Sequence, residues 1–399
     1  MPARPEVLTP AADTLGRVDE RALAERLITY DTSNIDGLRA AAGFVKGWLE
    51  AREIDVVDHK FGDLHALSAV VGPPEGSERA TLVFHGHFDV VPGRPEQFVP
   101  RIEGDRMFGR GSYDMKGALA SMMCALRDVS DQSGVRVRFV CVPDEESEDI
   151  ERRTSDDLVR RGLVGDFAIT GEPTNLHVGI QAKGVLAARL IVHGRAAHGS
   201  TPWLGDNAVL KAIDVFRRIE SLPFSRESSE LFDRPSINLG RINGGDALNK
   251  VPDECQMVLD IRYLPNQDPS DILEQIRTIP DMEVARTFIH PPAHVSRTNP
   301  FVLALGDVVG RLTSGESMSV GRDGASDAVS FLRAGVPAVE FGPTGAGHHG
   351  PEEWVSIGSL GRYRQALTDF VMQLPAKLDE FAGADAPAAP LRAVEGGRA

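Results

Sequence analysis

Short apolar runs alternate with amphipathic stretches through the first 180 residues of the chain. Helical spacing of apolar positions covers 17–30 and 37–52, while 67–71, 80–84, 135–142 and 166–170 read as strands. Between the second and third strands lies MKGALASMMCALRDV, small or apolar almost all round, as expected of a helix packed on a sheet. The alternation predicts an α/β fold with a mixed, largely parallel sheet sandwiched by helices.

From about residue 184 the pattern changes. GVLAARLIVHG alternates as a strand, NAVLKAIDVFRRIESL is a helix, SINLGRIN and CQMVLDIRYLP are strands, SDILEQIRTI is a helix and MEVARTFIH is a strand. That β-α-β-β-α-β order is the ferredoxin-like plan of a small α+β unit. Residues 184–291 therefore read as an inserted domain, with 1–183 and 292–380 as the two parts of the main one. The later part carries a helix near 300–312, a helix after Ser326, a strand at 337–341 and a closing helix from about 359 to 379. Residues 381–399, rich in Ala, Pro and Gly, are expected to be a disordered tail.

The chain's 399 residues supply two or three domains at roughly 100–200 residues each. No apolar run approaches the ~18 residues of a membrane span. The net charge of -15 repels phosphate backbones and anionic lipid, so neither nucleic acid nor membrane is an expected partner. Cys124, Cys141 and Cys255 sit in apolar surroundings without a CxxC pair, which predicts buried thiols rather than disulfides. The first residues lack the apolar core of a secretion signal, and a cytoplasmic location is expected.

Candidate chemistry gathers where strands end. TLVFHGHFDVVP places His85, His87 and Asp89 at alternate positions, which share a face in extended chain. A carboxylate two residues from an imidazole suits a metal-bound His whose other nitrogen is held by an acid, although a polar loop would carry the same letters. In GRGSYDMKG, Asp114 precedes a helix, as a ligand or as an N-cap. The apolar strand 135–142 runs into Asp144, Glu145, Glu146, Glu148 and Asp149, at the carboxyl end of a central strand where open α/β sheets bind ligands. DFAITGEPT repeats the arrangement with Glu172, and His348 and His349 follow the strand at 337–341.

Two motif matches carry little. Gly345, Gly347 and Gly350 fit GxGxxG, but no helix opens after them and dinucleotide binding is set aside. GASDA at 324–328 approaches a nucleophile elbow without its last glycine; a helix cap at Ser326 or Asp327 is the preferred reading. Closely packed carboxylates need a compensating positive charge. With His and carboxylate donors and no Cys, the fitting occupant is Zn²⁺, with Mn²⁺ or Co²⁺ as alternatives. One bridging carboxylate between two ligand sets would hold two ions about 3.5–4 Å apart.

Taken together and in order, HGHFDVVP, GRGSYDMKG, DEE, GEPT, AHGSTPWLGDNA and HHGPEE make residues 17–380 resemble the dinuclear metallohydrolases that include acetylornithine deacetylase, succinyl-diaminopimelate desuccinylase, aminoacylase and the glutamate carboxypeptidases. The resemblance implies that His87 and Glu172 bind one zinc, Glu146 and His349 the other, and that Asp114 bridges them. It makes Asp89 the residue that orients His87 and Glu145 the general base, and it implies a cis peptide after Asp114. Physically, Glu145 stands beside ligand Glu146, so it can take a proton from the activated water and deliver it to the leaving amine.

The resemblance also makes the inserted domain a lid that forms a homodimer. His198, in GRAAHGSTP, matches the histidine that contacts the oxyanion, often in the partner subunit's site. Asn249 and Arg262 match positions that hold substrate; Arg262 suits a carboxylate, with a strand-edge salt bridge as the alternative. Arg322 and Asp323 depart from the small residues that relatives carry there, and Arg322 is expected to read an anionic or polar substrate group. His348 is a second departure, and His349 is taken as the ligand because Gly-Pro-Glu-Glu follows it.

The expected activity is metal-dependent removal of an acyl group from an N-acyl amino acid or related small molecule. A dipeptidase or glutamate-type carboxypeptidase is the alternative within the same chemistry. A metal-binding sensor or scaffold without turnover is the alternative outside it.

Overall fold

A computed structural model describes residues 19–77, 79–147, 153–315, 318–324 and 326–383. The chain divides into two compact units: Met1–Val178 with Ser296–Ser319 and Ser330–Ala399, and Gly179–Val295 with Val320–Val329. Glu148, Asp149 and residues 384–399 of the expected tail lie outside the described residues.

In the first unit the strands Val56–Phe61, Leu64–Val71, Arg136–Val142, Thr81–His87, Phe167–Thr170 and Ala338–Glu340 follow one another across a mixed sheet. The first two junctions are antiparallel and the remaining three parallel. Strands Thr81–His87 and Phe167–Thr170 are buried nearly throughout, as strands covered on both faces must be. The strand Val56–Phe61 was not expected from the sequence; its polar and ionisable residues belong to a half-exposed edge, hairpinned to its neighbour through Gly62 at φ 63°. The register sets His87 opposite Val142, and His85 and Glu340 opposite Thr170. All four parallel strands therefore end at one edge, and the loops after 87, 142, 170 and 340 meet there.

Helices flank this sheet. Asn34 caps Ile35–Glu50, its Oδ1 accepting the Gly37 N–H at 3.0 Å. Gly117–Asp128 is buried on nearly every side and packs on Asp19–Ile28 and on the closing helix Ile357–Gly383, which runs past the expected end and takes in the first residues assigned to the tail. A smaller antiparallel sheet orders Gly345–Ala346, Trp354–Ser356, Arg106–Phe108 and Arg101–Glu103.

The second unit has the expected element order. Its antiparallel sheet runs Ser236–Gly244, Glu254–Tyr263, Gly184–His193, Met282–His290, which is the ferredoxin-like arrangement, with helices Ala208–Ile219 and Pro269–Arg277. Leu186, Leu190, Ala212, Ile219, Met257, Leu259 and Ile276 are fully buried in its core. The segment 320–329 belongs with this unit: the Lys183 N–H donates to the Arg322 carbonyl at 3.1 Å, and Gly321 leaves room for the Phe232 ring. Cys124, Cys141 and Cys255 are buried free thiols. Among the described residues, no helix is long and apolar enough to cross a membrane.

Candidate metal centre

At the carboxyl edge of the parallel strands, His87 Nε2 lies 3.2 Å from Asp114 Oδ1 and 3.8 Å from Glu172 Oε1. On the other side, His349 Nε2 lies 2.8 Å from Glu146 Oε1 and 3.6 Å from Asp114 Oδ2. The two oxygens of Asp114 thus face two separate His–Glu pairs. Donor atoms of His87, Asp114 and Glu172, and of Asp114, Glu146 and His349, each lie within 4.8 Å of one another; Glu145 forms a third such group with His87 and Glu146.

Local structure explains each placement. His87 ends its strand, and its Nδ1 lies 3.1 Å from the Asp89 carbonyl and 3.3 Å from Asp89 Oδ1, which leaves Nε2 toward Asp114. Asp114 is not a helix cap: the helix starts at Gly117, and the bond between Asp114 and Met115 is cis. The Met115 side chain lies below this segment in space left by two glycines. A Cβ on Gly86 would stand 2.7 Å from its Cε, and one on Gly171 2.5 Å. Glu145 and Glu146 are held by Asp89, whose Oδ1 and Oδ2 accept their backbone N–H groups at 3.1 and 2.7 Å. Asp144 turns the other way, accepting from Thr154 N and Oγ1 at 2.9 and 2.7 Å, while Arg153 donates to the carbonyls of Asp144 and Glu145.

The charges show what such a cluster demands. Burial alone lowers the pKa of His87, but hydrogen bonds to Asp114 and Asp89 reverse this and hold it well above the ordinary value. His349 is pushed up to about 10 by Asp114 and Glu146. Burial would raise the Asp114 pKa, yet the two imidazoles pull its carboxyl far below the usual range. Without a cation, protons on two histidines supply the positive charge that the carboxylates require. Imidazole and carboxylate donors around a shared carboxylate fit a pair of divalent ions of the zinc, manganese or cobalt kind.

The remaining candidates have surroundings of their own. His198, exposed in the second unit, accepts the Ser200 N–H on Nδ1 at 3.1 Å, so a neutral ring carries its proton on Nε2. Asn249 is exposed, and its carbonyl accepts the Gly199 N–H at 2.7 Å. Arg262 is paired with Asp260 at 2.9 Å along the same strand, the salt bridge that the sequence left as an alternative. Arg322 ends the strand Ser319–Arg322, and its neighbour Asp323 meets Lys183 Nζ at 2.7 Å. His348 turns to the edge of the Tyr113 ring, with centroids 5.8 Å apart, and Ser326 Oγ accepts the Ala328 N–H as a helix cap does.

Sequence reasoning missed the residues that tie the ligand loops together. Asn175 Oδ1 accepts both the Tyr113 hydroxyl at 2.9 Å and the Gly345 N–H at 3.1 Å. One amide so joins the loops of Asp114, Glu172 and His349. The left-handed backbone of Asn175, at φ 56°, was the available signal, since Asn adopts that region more readily than most residues, but it is invisible without coordinates.

The model of peptidase family M20/M25/M40 matches residues 83–373. The succinyl-diaminopimelate desuccinylase of Caulobacter sp. (strain K31) is 30% identical over 390 residues, covering 90% of this chain and 97% of the relative. Aminopeptidase PepT from Bacillus cereus shares the fold with a TM-score of 0.73 at 18% identity, over 90% of this chain and 99% of its own. The YXEP protein of Bacillus subtilis, described as a dinuclear metal binding peptidase from the M20 family, aligns with a TM-score of 0.63 at 14% identity, over 92% of this chain and all of its own.

Proposed function

The chain belongs to peptidase family M20/M25/M40, metallohydrolases that act on carbon–nitrogen bonds, and from that premise we propose that it removes an acyl group from an N-acyl amino acid. The observation that carries the proposal is the Asp114 carboxylate shared between the His87–Glu172 and His349–Glu146 pairs, with Glu145 beside them. A desuccinylase that is 30% identical over nearly the whole chain favours an acyl group over a peptide.

In this reading His87, Glu172 and Asp114 would hold one cation, and His349, Glu146 and Asp114 would hold the other. When bound, such a pair supplies Lewis acidity for the amide carbonyl and acidifies a water. The rest falls to side chains. Glu145 takes the proton of the attacking water and returns it to the leaving amine. Asp89 keeps Glu145 in reach through the backbone and keeps His87 Nε2 turned to its ligand position. His198 donates its Nε2–H to the carbonyl oxygen as negative charge develops there, and Asn249, Arg262 and Arg322 hold the amino-acid part. The second unit pairs two chains as a homodimer, which sedimentation tests directly.

The deciding experiment is a hydrolysis screen of N-acetyl and N-succinyl amino acids and dipeptides, with Zn²⁺, Co²⁺ or Mn²⁺ added. Turnover of the N-acyl set supports the proposal. Turnover confined to dipeptides makes the chain a peptidase, and cation uptake with no turnover makes it a sensor or scaffold.

A further inference from the structure

The small sheet of the first unit sets a buried carboxylate against the loop that carries Asp114. Trp354–Ser356 pairs antiparallel with Arg106–Phe108, so Glu353, one residue before its strand, lies beside the turn that leaves the other at Gly109. The Gly109 N–H donates to the Glu353 carbonyl at 3.0 Å, and the Glu353 side chain, 1% exposed, turns inward. Its Oε1 accepts the N–H groups of Tyr113 and Asp114, each at 3.0 Å. Its Oε2 accepts the Gly111 N–H at 3.0 Å and Arg110 Nη1 at 2.9 Å. Arg110, buried as well, sends Nη2 to the His349 carbonyl at 3.2 Å.

Three backbone N–H groups converging on one point make a nest for an anion. Gly111, at φ 77°, supplies the left-handed residue that such a turn needs; a Cβ there would also stand 2.6 Å from Val90 Cγ1. The nest is filled by the chain's own carboxylate, which comes from the loop of the other imidazole. A chain of contacts thus runs from Asp114 through Glu353 and Arg110 to His349. Removing a carboxylate from water is costly unless donors replace the water, and here four do so. A neutral side chain would fill the same space, but it would not hold three N–H groups and a guanidinium at once.

We propose that Glu353 is a positioning residue that presets Asp114 against His349, so that the cation held by Asp114, Glu146 and His349 meets a preformed set of donors. The inference rests on the dinuclear reading given above. Its test is titration calorimetry with Zn²⁺ and the visible spectrum of the Co²⁺-loaded protein, for the full chain and for Glu353→Gln and Arg110→Lys. In Glu353→Gln the amide NH₂ must face either the Gly111 N–H and Arg110 or the N–H groups of Tyr113 and Asp114, donor against donor whichever way it turns. We expect one of the two cations to bind about 10–100-fold more weakly, with an altered Co²⁺ spectrum, as when a partner behind a metal ligand is lost. Arg110→Lys keeps the charge but loses the fork between Glu353 and His349; it moves both readouts the same way, and it carries the test should Glu353→Gln fail to fold. Variants with lower Tm but unchanged stoichiometry, affinity and spectrum overturn the inference, because a loop staple alone would move only Tm. A wild-type chain that takes up fewer than two cations overturns the dinuclear reading, and this inference with it.

Discussion

Asp89 and Glu146 are joined by a 2.7 Å hydrogen bond from the Glu146 backbone N–H to Asp89 Oδ2. The other oxygen of the same carboxylate accepts the Glu145 N–H and lies 3.3 Å from His87 Nδ1. One acid therefore aligns an imidazole on one strand and two glutamates after the next. Asp89→Asn replaces one acceptor with a donor, so it disturbs both at once. The expected outcome is a loss of about 10–100-fold in cation affinity or kcat. Calorimetry and steady-state kinetics check it; wild-type values in both would show that the backbone of the 144–146 turn holds without Asp89.

Glu145→Gln separates proton transfer from metal binding. The substitution leaves His87, Asp114, Glu146, Glu172 and His349 intact, so two cations should still be taken up. Turnover of an N-acyl amino acid should fall by about 10²–10⁴-fold, the usual contribution of a general acid–base group. Metal analysis and kcat on one preparation check the pair of expectations, and retained turnover sinks the assignment of the base.

His87, Glu146 and Glu172 stand out in the sequence because each ends or closely follows an apolar strand, whereas Asp114 and His349 were picked out as ligands only by the resemblance; the structure brings the five side chains into two overlapping groups. The second unit was legible from its periodicity. Glu353 was quoted within a motif without a role, since its partners are backbone N–H groups of residues some 240 positions away, and backbone donors leave no letter in a sequence. Asn175 escaped because its left-handed backbone and its tie to the Gly345 N–H are equally invisible in the letters. Arg262 shows the opposite limit: the letters allowed a substrate contact or a strand-edge salt bridge without naming a partner, and the structure supplies one in Asp260, two residues back and so on the same face of the strand, at 2.9 Å.

Gly342 tests how tightly the Glu172 loop is held. A Cβ at this position would stand 2.3 Å from the Glu172 carbonyl oxygen and 2.7 Å from that of Gly171. Both are backbone atoms, which cannot swing aside as a side chain can. The Gly342 N–H also donates to Thr174 Oγ1 at 2.9 Å, so the two loops cannot simply part. Gly342→Ala is expected to cost about 1–3 kcal/mol of stability, as overpacking of a buried site does, and to weaken cation binding at the His87–Glu172 side. Thermal unfolding and calorimetry check the two effects; a Tm and an affinity equal to wild type would mean that the loop has slack.

The histidines make cation binding depend on pH in a definite direction. In the cation-free protein His349 is raised to about 10 and His87 well above the ordinary value of 6.5. A raised imidazole contributes stability that is fully present below the unfolded value and is lost as pH rises through the folded one. The cation-free protein should therefore lose this contribution between about pH 6.5 and 10. Cations require the neutral rings, so they compete with these protons, and their binding strengthens over the same range. The gap in Tm between cation-loaded and cation-free protein should widen from about pH 6 to about pH 8.5, with protons released on loading. Thermal unfolding with and without chelator, and calorimetry in buffers of different ionisation enthalpy, measure both. A gap that stays constant, with no proton release, would show that the two imidazoles are not the groups that the cations displace protons from.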